Sequence, residues 1–232
     1  MEFVYEMNGL RIVDLSKPID PATETRRCKL NRFNTGGLIP DWHTNMDLMS
    51  HLGTHVECPY HHFENGPSVL EVPLTQFMGR AIYVKFPKSD ERVKPNSYVT
   101  PELLDAYVAP KMKPHDIVII DSDWQIPPFT PKSNTKEDTR MFINADTANW
   151  FLAHEAKGVG FGDGVSVESS NEDVKPFHDI LLAKNILFIE VLKHLDLLKK
   201  DAFFMSYSPL PILGLDSSPV HAYAIEGLAE FS

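Results

Sequence analysis

Short apolar runs rich in β-branched and aromatic residues alternate with stretches of helical pattern, and this alternation constrains the fold more than any other feature of the sequence. Strands that arrive singly between helical segments need covering layers, so a mixed α/β domain is expected. The expected strands are 10–15, 81–86, 117–121, 159–161, 186–191, 203–207 and 220–225. The clearest helix starts at Thr100 as N-cap, with Pro101 and Glu102 in its first turn. Leu103, Leu104, Tyr107 and Val108 line one of its faces, and Pro110 ends it. A second helix is expected over 144–157, closed by Gly158 as a left-handed cap, and a third over 177–184, closed by Asn185.

No boundary, repeat or low-complexity tract divides the 232 residues, so one domain spanning 1–232 is expected. Two polar, turn-rich stretches, 22–47 and 125–143, exceed the roughly 12–15 residues usual for a plain loop. They are expected to be lids, partner contacts or mobile segments. The second reads as a lid because it follows a strand end, where ligands bind in α/β sheets.

Lys and Arg number 22 against 32 Asp and Glu, a formal charge of −10, with no basic cluster to offset it. Such a surface repels phosphate and argues against a nucleic-acid binder. No apolar run approaches the roughly 20 residues that cross a bilayer. The chain opens without a charged and then apolar leader pattern, so a cytoplasmic location is expected. Two cysteines, Cys28 and Cys58, suit a reducing compartment rather than a disulfide framework.

Four of the ten histidines, His51, His55, His61 and His62, fall within twelve residues that also hold Glu57. His51 and His55 would share a face on a helix, but Gly53 and Pro59 argue for an extended segment from His55 onward. In an extended chain residues two apart point the same way, so His55 and Glu57 converge. Two imidazoles and a carboxylate are the ligand types that hold a zinc-like ion with a position left open for water. A lone histidine is more often a half-buried surface group; four beside a glutamate favour ligation. Cys58 points to the opposite face and reads as a small buried apolar residue.

Far downstream, Glu190 interrupts 186–192, which otherwise reads as a buried central strand. A carboxylate there costs several kcal/mol unless it meets a cation, although an edge strand or a lysine partner would also satisfy it. His178 on the third helix could supply an imidazole to the same place. No Gly-x-Ser-x-Gly elbow occurs, and the glycines at 158, 160, 162 and 164 miss dinucleotide-loop spacing, so caps and turns are expected of them.

The segment His51-x-Gly53-Thr54-His55-x-Glu57-x-Pro59-x-His61 resembles the His-x-Gly-Thr-His-x-Asp-x-Pro-x-His motif of the cyclase-like metal hydrolases. That group contains bacterial kynurenine formamidase and isatin hydrolase. Asp14-Leu15-Ser16-Lys17-Pro18-Ile19, Gly162-Asp163 with Ser166, Phe177-His178-x-x-Leu181-Leu182, Ile189-Glu190, Leu195-Asp196 and Ser218-Pro219-Val220 extend the resemblance along nearly the whole chain. It implies a swivelling β/β/α fold, with a mixed sheet and covering helices, usually in a homodimer or larger oligomer. It also implies that His51, His55 and Glu57 bind one divalent ion. A second would be bound by His178 and Glu190, with Glu57 as a bridge, and His61 would be the proton-transfer histidine. This sequence departs from the family in having Glu57 where Asp is usual. It also has Asp121-Ser122-Asp123-Trp124 where many members are basic, and His62 at an often aromatic position.

The implied activity is metal-assisted hydrolysis of a carbon–nitrogen bond in an N-formyl, amide or lactam group of a small substrate. His61, with an unperturbed pKa near about 6.5, would move the proton. Zinc is the expected ion and manganese the runner-up, one or two per chain. Trp42, Tyr60, Phe63 and Trp124 are candidates for an apolar wall against a ring-bearing substrate, though each is commonly plain core. Competing readings are lactone opening or dehydrating cyclisation at the same ion, and a metal-binding protein without turnover.

Overall fold

Odd and even positions of the central strands face two different cores, and that division places the site. The computed structural model describes residues 1–39, 41–125, 138–168 and 170–231. In chain order the strands are β1 (Val4–Met7), β2 (Leu10–Asp14), β3 (Cys28–Asn34), β4 (Trp42–Leu48), β5 (His55–Glu57), β6 (Met78–Phe86) and β7 (Ile117–Ser122). They continue as β8 (Met141–Phe142), β9 (Gly158–Phe161), β10 (Val165–Ser166), β11 (Leu187–Glu190), β12 (Ala202–Ser206), β13 (Ser217–Pro219) and β14 (Tyr223–Glu226). The α-helices are α1 (Pro101–Tyr107), α2 (Ala145–Ala153) and α3 (Asn171–Leu182).

Ten strands form one mixed sheet in the order β1-β2-β14-β12-β6-β7-β9-β11-β5-β13. The four strands β6, β7, β9 and β11 run parallel, and the helices lie in the connections between them. The flanking pairs are antiparallel. This is the mixed α/β sheet with covering helices that the alternation expects. In β7, Val118 and Ile120 join Ile82, Val84, Phe161 and Phe188 beneath the helices. Ile117 and Ile119 join Ala81, Leu187, Ile189, Phe203 and Met205 on the other face. Each of these side chains except Ala81 contributes about 1.5–3 kcal/mol by leaving water, and burial on both faces explains why β7 reads as an unbroken apolar run. No helix among the described residues is long and apolar enough to cross a membrane.

The Thr100 hydroxyl accepts from Leu103 N–H at the start of α1, as its cap signal implies. Helix α2 starts on Asn144 as expected but stops at Ala153, because Glu155 takes the left-handed conformation. Gly158 therefore is not its cap: it lies inside β9, where a Cβ would stand 3.0 Å from the Tyr207 hydroxyl. Helix α3 begins at Asn171, six residues before the expected 177, with Ser170 as N-cap and Glu172 and Asp173 favourably placed in its first turn. Pro176 conceals this start, since proline inside a helical pattern reads as a break. Asn185 is left-handed after α3, as expected.

Of the stretch 220–225 only 223–225 are in a strand, β14, which starts three residues later than expected, and 22–47 holds the β3–β4 hairpin rather than an irregular loop. The expected lid over 125–143 falls mostly on 126–137, outside the described residues; Met141 and Phe142 form β8 beside β10. The glycines do not serve as caps and turns alone. Gly158 and Gly160 lie in β9, and Gly164 sits where a Cβ would meet the Ser122 backbone at 2.4–2.5 Å. Neither backbone can move cheaply at that point, since Gly164 N–H donates to the buried Asp121 carboxylate at 2.6 Å. Gly164→Ala is expected to cost about 1–3 kcal/mol, read as a Tm lower by roughly 2–12 °C in thermal unfolding.

Candidate metal centre

Strand parity puts His55 and Glu57 on the helix-covered face, since Val56 between them faces the opposite core. Glu190 shares the helix-covered face with Phe188, and antiparallel register sets Glu190 directly opposite His55. Helix α3 lays His178 over the same place. The sheet therefore brings His55, Glu57, His178 and Glu190 together, and Glu190 lies in a central strand between β9 and β5, not at an edge. All four are buried. The loop before β5 adds His51, and the turn after it adds His61.

The distances define two overlapping groups that share Glu57. Ligating atoms of His55, Glu57 and Glu190 all lie within 4.8 Å of one another, as do those of His51, Glu57 and His61. His55 Nε2 stands 3.7 Å from Glu57 Oε1 and 3.5 Å from Glu190 Oε2. His51 Nδ1 is 2.8 Å from Glu57 Oε1, and His178 Nε2 is 3.2 Å from Glu57 Oε2. Register thus sets His55 beside Glu190, with Glu57 common to both groups.

The ring orientations suit ligation. His55 Nδ1 donates to the Gly53 carbonyl at 2.9 Å, and His178 Nδ1 donates to the Val174 carbonyl at 2.7 Å. A carbonyl only accepts, so each Nδ1 carries a proton and each ring turns its Nε2 toward the carboxylates. Two buried atoms, His55 Nε2 and Glu57 Oε2, have no hydrogen-bond partner. An orphaned pair of this kind amid two carboxylates is costly without a cation, and the mixed imidazole and carboxylate donor set fits a zinc-like divalent ion.

Asp216, which no sequence spacing singles out, organises the outer side. Its Oδ2 lies 2.8 Å from His51 Nε2 and 3.2 Å from His61 Nδ1. The signal that could have found it is its place immediately before Ser217, which pairs with Glu57 across β13 and β5. His62, assigned no role from sequence, hydrogen-bonds Asp179 at 2.7 Å and stacks on His178 with centroids 4.8 Å apart. Cys58 is fully buried, and burial pushes its thiol up to about 12, in keeping with an apolar role. The aromatic candidates disperse. Trp124 packs against the helix-side core and donates to the Val93 carbonyl, Phe63 packs against the same core, and Trp42 stands exposed on the hairpin.

The charges are set by mutual contact. Burial alone would raise Glu57, but the imidazoles of His178, His51 and His55 hold it well below the usual carboxylate range. Burial opposes protonation of His51, yet Asp216 and Glu57 raise it to about 9. Hydrogen bonds from His51 and His61 hold Asp216 well below the usual range.

The Cyclase family model, described as "Putative cyclase", matches residues 13–169. The chain belongs to the cyclase family. Isatin hydrolase A from Labrenzia aggregata, solved with benzyl benzoate, is similar at a TM-score of 0.71 and 21% identity over 93% of each chain. Isatin hydrolase A from Ralstonia solanacearum is similar at 0.71 and 19% identity, over 93% of this chain and 92% of that one. A protein described as a "predicted metal-dependent hydrolase" from Bacillus stearothermophilus gives 0.65 and 20% over 94% and 99%. At these identities the likeness establishes the cyclase fold. No curated protein shows significant similarity in sequence. The family match takes in His51, His55, Glu57 and His61 and ends before His178 and Glu190.

Burial, followed by the charge of Glu57, pushes the Glu190 carboxyl up from 4.5 to about 7. The folded chain thus holds this proton more tightly than the unfolded chain. Its stabilisation is complete below about pH 4.5 and lost as pH rises through about 7. Metal-stripped protein is expected to lose on the order of 3 kcal/mol from this group between about pH 5 and about pH 8. Thermal melts in chelator would show the fall, and Glu190→Gln is expected to flatten it.

Proposed function

We propose that this cyclase-family chain is a metal-dependent hydrolase that cleaves a carbon–nitrogen bond other than a peptide bond. The bond lies in an N-formyl, amide or lactam group of a small cyclic or aromatic substrate. The observation that carries this reading is the buried His55–Glu57–Glu190 group with its unpartnered Nε2 and Oε2 atoms. His51, His55, Glu57, His178 and Glu190 would hold one or two divalent ions, zinc before manganese by the Irving–Williams order. When bound, such an ion supplies Lewis-acid chemistry: it polarises a carbonyl and makes water acidic enough to ionise near neutral pH. The names of the structural neighbours, isatin hydrolase and metal-dependent hydrolase, agree with this chemistry.

The chain's own residues divide the remaining work. Asp216 accepts from His61 Nδ1 and so fixes the ring, leaving Nε2 on the side of Glu57, 3.7 Å from Oε1. From there His61 takes a proton from water and returns one to the departing nitrogen. Asp216 accepts from His51 as well, so one carboxylate orients both a ligand and the proton carrier. His61→Ala is expected to lower turnover of N-acyl or lactam compounds by about 10²–10⁴-fold while leaving bound metal in place. Product mass distinguishes the chemistry, because hydrolysis adds water whereas dehydrating cyclisation removes it. Unchanged turnover in His61→Ala would overturn the assignment.

The same reading makes the chain a homodimer or larger assembly acting on a small molecule in a reducing, aqueous compartment. The β3–β4 hairpin supports the assembly. Leu30, Phe33, Leu38, Ile39, Trp42 and Met46 are exposed along it, and it packs extensively on no other element. A two-stranded ribbon with both faces in water is marginally stable by itself. The hairpin and the two residues that lead into it carry four basic residues, Arg26, Arg27, Lys29 and Arg32, against Asp41 and Asp47, which complements the acidic body of a second copy. Light scattering on the eluting protein should give a dimer or larger species. Paired charges at the cross-strand neighbours Leu30 and Met46 (Leu30→Asp with Met46→Asp) should give a monomer.

A further inference from the structure

One backbone conformation beside the cluster is costly for its residue. Val191 follows Glu190 directly and has φ of 60°, in the left-handed region. A β-branched side chain is a genuine outlier there, and such strain persists only where the surroundings over-determine it. What over-determines it is on the other side of the cluster. Thr54, 1% exposed and immediately before His55, donates its hydroxyl to the Val191 carbonyl at 2.7 Å. The same hydroxyl accepts from Lys17 N–H at 2.7 Å, and Thr54 O accepts from Val220 N–H at 2.9 Å. Beyond Val191, Leu192 N–H donates to Phe161 O at 3.2 Å and Lys193 N–H to Leu15 O at 2.9 Å. A single hydroxyl therefore joins the residue before His55 to the residue after Glu190. These two flank the pair whose Nε2 and Oε2 atoms stand 3.5 Å apart.

We propose that Thr54 and Val191 are positioning residues: the Thr54 hydroxyl locks Val191 left-handed, and this lock sets the spacing between His55 and Glu190 for the ion. The inference rests on the metal reading above. Without the hydroxyl, Val191 relaxes to the extended region that suits a β-branched residue, and the end of β11 turns the Glu190 carboxylate away from His55. Glycine at 191 adopts the left-handed conformation without strain, so it should hold Glu190 in place with or without the hydroxyl. Val191 is 36% exposed, so truncating it sacrifices little packing.

The test is a cycle of Thr54→Val, Val191→Gly and the double variant, with Thr54→Ser retaining the hydroxyl as the control. Zinc affinity is measured by competition with a chromogenic chelator, and Tm is measured on metal-stripped protein. Thr54→Val should weaken zinc about 10–100-fold, Thr54→Ser should not, and the double variant should regain most of the loss. In metal-stripped protein Val191→Gly should raise Tm, and Thr54→Val should lower it more in the Val191→Gly background than alone, because only valine recovers strain by relaxing. Additive Tm changes, or a double variant as weak in zinc as Thr54→Val, would overturn the strap. If Thr54→Val does not fold, an unraised Tm in metal-stripped Val191→Gly would overturn it as well. Native protein that binds neither zinc nor manganese would instead overturn the metal reading, while the Tm cycle still decides the strap.

Discussion

Two carboxylates, Glu57 and Glu190, are buried on the same sheet face within reach of the same imidazole, His55, and much else in the molecule follows from accommodating them. Two like charges in a water-poor interior repel and lose hydration, a cost of several kcal/mol per ion. The protein meets this cost partly with protons: Glu190 binds one up to about pH 7, and His51 keeps one to about 9. It meets the rest with geometry, by anchoring the Nδ1 atoms of His55 and His178 on backbone carbonyls so that each Nε2 faces the acids. A divalent ion would replace those protons and satisfy both carboxylates at once.

The sheet topology makes this burial achievable. Strand β11 is the last of the parallel set, and β5 joins it antiparallel, so chain segments more than a hundred residues apart meet in register at His55 and Glu190. Helix α3 closes the same face with Phe177 and Leu181 in the core and His178 over the acids. The opposite face is wholly apolar at this level, with Val56, Leu187 and Ile189 fully buried. Precision at the centre is thus inherited from backbone hydrogen bonding across the sheet, the most rigid element available.

What was legible in the sequence follows physical contrast. Glu190 stood out because one acid in a run of buried apolar residues has no cheap explanation, and the histidine cluster because four imidazoles rarely gather by chance. The central strands were legible because burial on both faces leaves an unbroken apolar run. The hairpin 28–48 was not, since side chains exposed on both faces carry no period of two. The start of α3 was hidden by Pro176, and Gly158 was misread because a glycine needed for close strand packing looks like one needed for a cap. Asp216 was missed because its relation to His51 and His61 exists only through the pairing of β13 with β5.

The most direct test of this account is the metal content of protein purified without chelator, by elemental mass spectrometry, for the native chain and for His55→Ala and Glu190→Ala. The account predicts one or two equivalents of a divalent ion per native chain, lost in His55→Ala and reduced in Glu190→Ala. A native chain that holds no ion even after addition of zinc or manganese would contradict it, as would variants that retain the full native content.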